Sequence, residues 1–190
     1  MDPVDLAVWV GLGLLCALAL WGIATYNNLI RLRNRVDAVW ADIDVQLKKR
    51  HDLVPNLVEV VAAYAAHERG TLEEVTAARA TVSAARSPAE RANAENALSD
   101  ALVHLFATVE DYPELEAEER FQALMEELTQ LEDVIALSRQ AYNLAVLAYS
   151  NTTQTVPSNV IAWLGSFEAR EFLTAPESET EVPDVDFAAA

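Results

Sequence analysis

The residues with the most chemical potential are four charges set on or beside otherwise apolar helical rows: Asp44, Arg50, Glu132 and Arg139. Arg50 sits among Val36, Trp40, Ile43, Leu47, Val54, Leu57 and Val61, positions that step alternately by four and three. That spacing places one seam of a helix against other helices, so Arg50 requires a buried counter-charge. Glu132 and Arg139 interrupt a second row of the same kind: Phe121, Met125, Leu128, Ile135, Tyr142, Val146 and Tyr149. Inward carboxylates in a helical protein raise the possibility of a carboxylate-bridged metal centre, which draws on Glu-x-x-His pairs. None occurs, and His51, His67 and His104 share no one-turn spacing. The nucleophile elbow, the phosphate loop and the zinc-protease helix are equally missing. No catalytic, cofactor-binding or metal-ligating residue is expected, and the charges read as a structural polar layer.

The elements that must position this layer follow from local signals. Between Tyr26 and His67 only Pro55 disturbs a helical pattern, and one proline bends a helix without necessarily ending it. A long first helix is predicted over 27–66, with Gly70 in a left-handed exit. Thr71 and Glu74 form a capping box that opens a second helix over 72–86. Ser87, Pro88 and Glu90 give a stronger start for a third helix over 88–110. Asp111-Tyr112-Pro113 closes it, and a long last helix runs over 117–153.

If the first and last helices run antiparallel, opposed residues have a nearly constant index sum. One alignment then pairs Arg50 with Glu132, Asp44 with Arg139, Trp40 with Tyr142 and Val61 with Phe121. The expected fold class is all-α: an N-terminal transmembrane helix followed by an antiparallel four-helix bundle with long first and last helices.

Composition agrees. Half of the 190 residues are apolar (52%) and only five are Gly, which favours helix. A formal charge of -17 argues against nucleic acid, since phosphate binding needs a basic stripe. One cysteine, Cys16, allows no internal disulfide.

Leu6 to Ala24 has no charge over about 19 residues, or about 28 Å of helix, close to a bilayer's hydrocarbon thickness. Trp9, Trp21 and Tyr26 lie towards its two ends, where amphipathic rings prefer the interface. No Lys or Arg precedes the stretch, so an uncleaved anchor is expected and not a signal peptide. Arg31, Arg33 and Arg35 follow it, which predicts the N-terminus outside and the C-terminal domain in the cytoplasm. The expected division is 1–25 for tail and anchor, 26–173 for the helical body, and 174–190 for an acidic disordered tail. Antiparallel return brings the last helix back to the membrane and delivers Val160, Ile161, Trp163, Leu164 and Phe167 to a membrane-proximal position. Those side chains either touch lipid or cap the bundle.

With these segments placed, the chain resembles the LemA family. The likeness is carried by Tyr26-Asn27-Asn28-Leu29, by Arg33 to Val36, and by the run from Trp40 to Val58 through Arg50-His51-Asp52 and Pro55-Asn56. Tyr64 to Glu68, Tyr112-Pro113-Glu114-Leu115, Ala141-Tyr142-Asn143, Pro157-Ser158-Asn159 and Pro183 to Phe187 continue it. The resemblance implies a single-pass, membrane-anchored helical bundle of unsettled role, and with no catalytic motif in the chain no enzyme is expected. It suggests a scaffold or adaptor with unknown protein partners. The alternatives are an envelope-associated regulator of a membrane enzyme such as a metalloprotease, or a membrane-organising homo-oligomer.

Overall fold

The structure is a computed structural model that describes residues 2–173. The tail 174–190, expected to be disordered, lies outside the described residues. Among the described residues every regular element is helical: α1 (Pro3–Tyr64), α2 (Arg69–Ala84), α3 (Pro88–Val109), α4 (Pro113–Glu116), α5 (Glu119–Gln154) and α6 (Ser158–Leu164).

α1 passes without interruption from the apolar stretch through Pro55 to Tyr64. It is the one described helix long and apolar enough to cross a membrane. Its Val4, Leu6, Val8, Trp9, Val10, Leu12, Leu14, Leu15, Leu18 and Leu20 are all exposed. A core helix would bury such side chains within the protein, so the surface of this stretch is suited to lipid.

Two helix starts differ in how well local sequence predicts them. Ser87 caps α3 as expected: its Oγ accepts from Glu90 N–H at 3.1 Å, and Pro88 takes the first helical position. The Thr71–Glu74 box does not cap α2. The helix begins three residues earlier than expected, at Arg69, with Glu68 at the N-cap. Gly70 lies inside α2, and no described glycine has positive φ. The reason is tertiary: Tyr112 Oη donates to Glu68 Oε1 at 2.7 Å and holds Glu68 at the helix entrance. Proline at 113 both stops α3 and starts the one-turn α4, whose Leu115 is buried.

The chain divides into two compact units. One contains α1 up to Asp42 together with Gln140–Phe172. Its interior is Leu29, Val36, Tyr142, Ala145, Val146, Tyr149 and Ala162. Trp40 meets Tyr142 edge-on, with ring centroids 5.7 Å apart.

The other unit holds Ile43–Arg139. Val54, Leu57, Val61, Val75, Leu98, Leu102, Leu105, Leu115, Phe121 and Leu128 form its core. Contacts of Arg50 with Glu132 and of Glu59 with Arg120 set α1 and α5 antiparallel here. Met125, expected on the seam, is exposed, and Leu124 is buried in its place. Neighbouring rows at i+3 and i+4 compete for one face of a 3.6-residue helix.

Candidate functional site

The polar layer is built on α1, α3 and α5 within the second unit. Arg50 is completely buried, which an unpaired guanidinium could not tolerate. Its Nη1 donates to Ser99 Oγ at 2.7 Å and to Glu132 Oε1. Its Nη2 donates to the Glu95 carboxylate and, at 3.1 Å, to the Glu95 carbonyl oxygen. Ser99 Oγ lies 3.2 Å from the Glu95 carbonyl oxygen and 3.1 Å from Glu132 Oε1, and either can take its single proton. Glu95 is also completely buried, whereas the Glu132 side chain keeps 39% of its exposure and can be hydrated.

The sequence-derived residues are distributed as follows. Arg50 and Glu132 touch. Asp44 forms an ion pair with Arg91 of α3, at 2.7 Å. Arg139 is half-buried on α5 in the same unit.

Glu95, Ser99 and Arg91 were not anticipated, although a signal for them exists. Extending the row Leu98, Leu102, Leu105, Val109 back by three reaches Glu95. Arg91 and Ser99 lie one turn to either side of it. The Ala-rich opening of α3 hides this row, because small side chains do not mark a face.

A second polar device concerns Pro55. Proline has no N–H, so the carbonyl oxygen of His51, four residues earlier, loses its intrahelical donor. Arg79 of α2 supplies one instead: its Nε donates to His51 O at 3.1 Å. Nδ1 of the His51 ring is buried and without a hydrogen-bond partner. Burial, and next the Arg79 charge, hold its pKa below the ordinary 6.5. His51 also lines a polar hollow of about 280 Å³ with Asp44, Lys48, Ser83 and Arg91.

The first unit has its own polar contacts. Tyr149 Oη donates to Glu168 O at 2.8 Å and Tyr142 Oη to Glu171 O at 3.2 Å, and burial pushes both phenols up. Arg170 pairs with Asp37 at 2.9 Å. The segment after α6 is thereby strapped to α5 and α1. Ile161 and Phe167 are half-buried, while Val160, Trp163 and Leu164 are exposed.

The buried carboxylate of Glu95 is engaged by the Arg50 guanidinium. Among the described residues no group of three or more His, Cys, Asp or Glu is placed to hold a metal ion.

Comparison with known proteins agrees with this helical, membrane-linked character. The LemA family matches residues 39–187, most of the chain. The chain belongs to the LemA family. LemA-type relatives include Magnetosome protein MamQ 1 and MamQ 2 of Paramagnetospirillum magneticum, each 24% identical over 184 residues. Those alignments cover 83% of this chain and 68% of the relative. Magnetosome protein MamQ of Magnetospirillum gryphiswaldense is 22% identical over 207 residues, covering 95% of this chain and 76% of its own. This LemA protein is thus a membrane-associated helical chain with one candidate span.

Proposed function

We propose that this protein is a membrane-tethered scaffold or adaptor, with a four-helix body held on the cytoplasmic side of the membrane. The observation that carries the reading is the continuity of α1. The lipid-suited stretch and the following body share one helix, with no linker between them. A helix that carries both the lipid-suited stretch and the start of the body keeps that body at the membrane for its partners. The layer of Asp44, Arg50, Glu132 and Arg139 serves that role by fixing the register of the helices, not by chemistry. Basic residues at 31, 33 and 35 support the cytoplasmic orientation.

In a second reading, copies of the chain assemble to organise a membrane; its relatives are named as magnetosome proteins.

Photo-crosslinkers at Val103 and Leu137, both exposed, test these readings in native membranes. A scaffold gives discrete adducts to other proteins that disappear when residues 2–25 are deleted, and an organising oligomer gives self-adducts. No adduct from either position overturns both. Labelling intact cells with an impermeant maleimide tests the orientation: Asp2→Cys is modified and Val103→Cys is protected. The reverse pattern refutes it.

A further inference from the structure

We propose that α6 and the turn before it form a second membrane contact, a foot set into the interfacial layer of the same bilayer that α1 crosses. The inference rests on the reading of α1 as a span, and three observations carry it.

The first is position. Ile161 Cδ1 lies 3.7 Å from where a Cβ on Gly22 would stand, and Tyr26 Cε2 lies 3.1 Å from the corresponding point on Gly165. Phe167 meets the Tyr26 ring edge-on at 5.4 Å, and Arg33 sits over the Phe167 ring at 5.6 Å. Steps from 161 to 165 to 167 thus follow steps from 22 to 26 to 33, so α6 runs beside α1 in the same direction. Its start lies level with the last turns of the apolar stretch that ends at Ala24. Val156 and Val160 precede Ile161 and fall on the bilayer side of it. Interfacial helices seat their apolar side chains about 5–10 Å into this layer. Gly165 makes the fit possible: any Cβ there would stand 2.6 Å from the Phe167 ring, so only glycine lets Phe167 fold back onto Tyr26.

The second is the exposed surface. Ala162 is the buried residue of α6, and it holds the helix in place. Val156, Val160, Trp163 and Leu164 face outward with 81%, 54%, 79% and 66% of their surface free. Four large apolar side chains on one short segment form an interaction surface rather than scattered exposure. Trp is the residue that favours the headgroup boundary.

The third is charge. No Asp, Glu, Lys or Arg occurs between Gln140 and Phe167, in a chain where 23% of residues are charged. The other long uncharged run, Leu6 to Ile30, lies in the same compact unit. Water-facing surface gives no reason for the end of α5 and all of α6 to avoid charge, whereas lipid does. An apolar hollow of about 320 Å³ between Gly22, Ile23, Tyr26, Ile161, Leu164 and Gly165 is open to the same side chains and suits acyl methylenes.

Full-length protein carrying Cys16→Ala, reconstituted in phosphatidylcholine vesicles, tests the proposal. Nitroxide labels go on Val160→Cys, Trp163→Cys or Leu164→Cys. Leu12→Cys in the span and Val103→Cys in the body are the references. Collision with oxygen against collision with a water-soluble nickel chelate reports depth. The expected result is a severalfold excess of oxygen over nickel collisions at the three α6 sites, between the values of the two references. Nickel collisions at α6 equal to those at Val103, with Leu12 still in lipid, overturn the foot and leave the span intact. Spin–spin broadening at α6 with water exposure likewise overturns it in favour of a second copy. A water-exposed Leu12 label overturns the span itself.

Discussion

Replacing Arg50 by Met is the sharpest test of what holds the second unit together. The guanidinium makes four contacts, to Ser99, to the Glu95 carbonyl, and to the carboxylates of Glu95 and Glu132. The contacts do not contribute equally to the cost of the variant. Ser99 retains its alternative acceptors, and Glu132 is exposed enough to recruit water. Glu95 has no such recourse. It is fully buried, and the next cation, Arg91 Nε, stands 3.9 Å from its other oxygen. The variant therefore leaves a buried carboxylate with only this long contact to Arg91, which costs about 3–5 kcal/mol, a large share of the roughly 5–15 kcal/mol that holds a domain folded. Arg50→Met/Glu95→Leu removes the stranded charge, and apolar replacement of a buried ion pair is often neutral. At least half the loss should then return. Arg50→Lys keeps the charge but cannot span the three partners, so it falls between. Urea denaturation of the full-length variants in detergent, followed by far-UV circular dichroism, gives the comparison. A loss below about 1 kcal/mol for Arg50→Met, or a double variant worse than the single, would refute the reasoning.

Arg79→Met leaves the His51 carbonyl without a donor and should cost about 1–3 kcal/mol. Adding Pro55→Ala supplies the missing N–H within α1 and should recover most of it; simple summation of the two losses in the same denaturation assay would count against the device. His51, whose folded pKa lies below the unfolded 6.5, stabilises the fold as the neutral ring. The unfolded chain binds more protons as pH falls through 6.5, so stability declines from there toward the lower folded pKa. The same denaturation measured across that window should flatten in His51→Gln, and an unchanged slope would exclude His51 as the source.

Sequence made the long helices and their pairing legible because both seams keep a strict four–three step. Opposed positions then hold a constant sum, which points to Arg50 with Glu132 and to Trp40 with Tyr142, and the atoms of both pairs are in contact. Ser87-Pro88-Glu90 was readable for a different reason: every bond of that cap lies within four residues. The start of α2 was not readable, because a tyrosine from far along the chain decides it. Glu95 stayed hidden behind alanines. Arg79 shares a helical row with Leu72, Val75 and Val82, yet its partner is a backbone oxygen, and nothing in a list of side chains points to one.

That oxygen has a consequence for assembly. Along a regular helix every carbonyl already accepts one N–H, so none is set apart from its neighbours. Pro55 frees one acceptor, and Arg79 is the plug cut for it. If α2 slid by a turn, the plug would meet a filled position and the socket would stand empty in a half-dry setting. A missing hydrogen atom thus acts as an address, marking where along a long uniform rod its neighbour must stop.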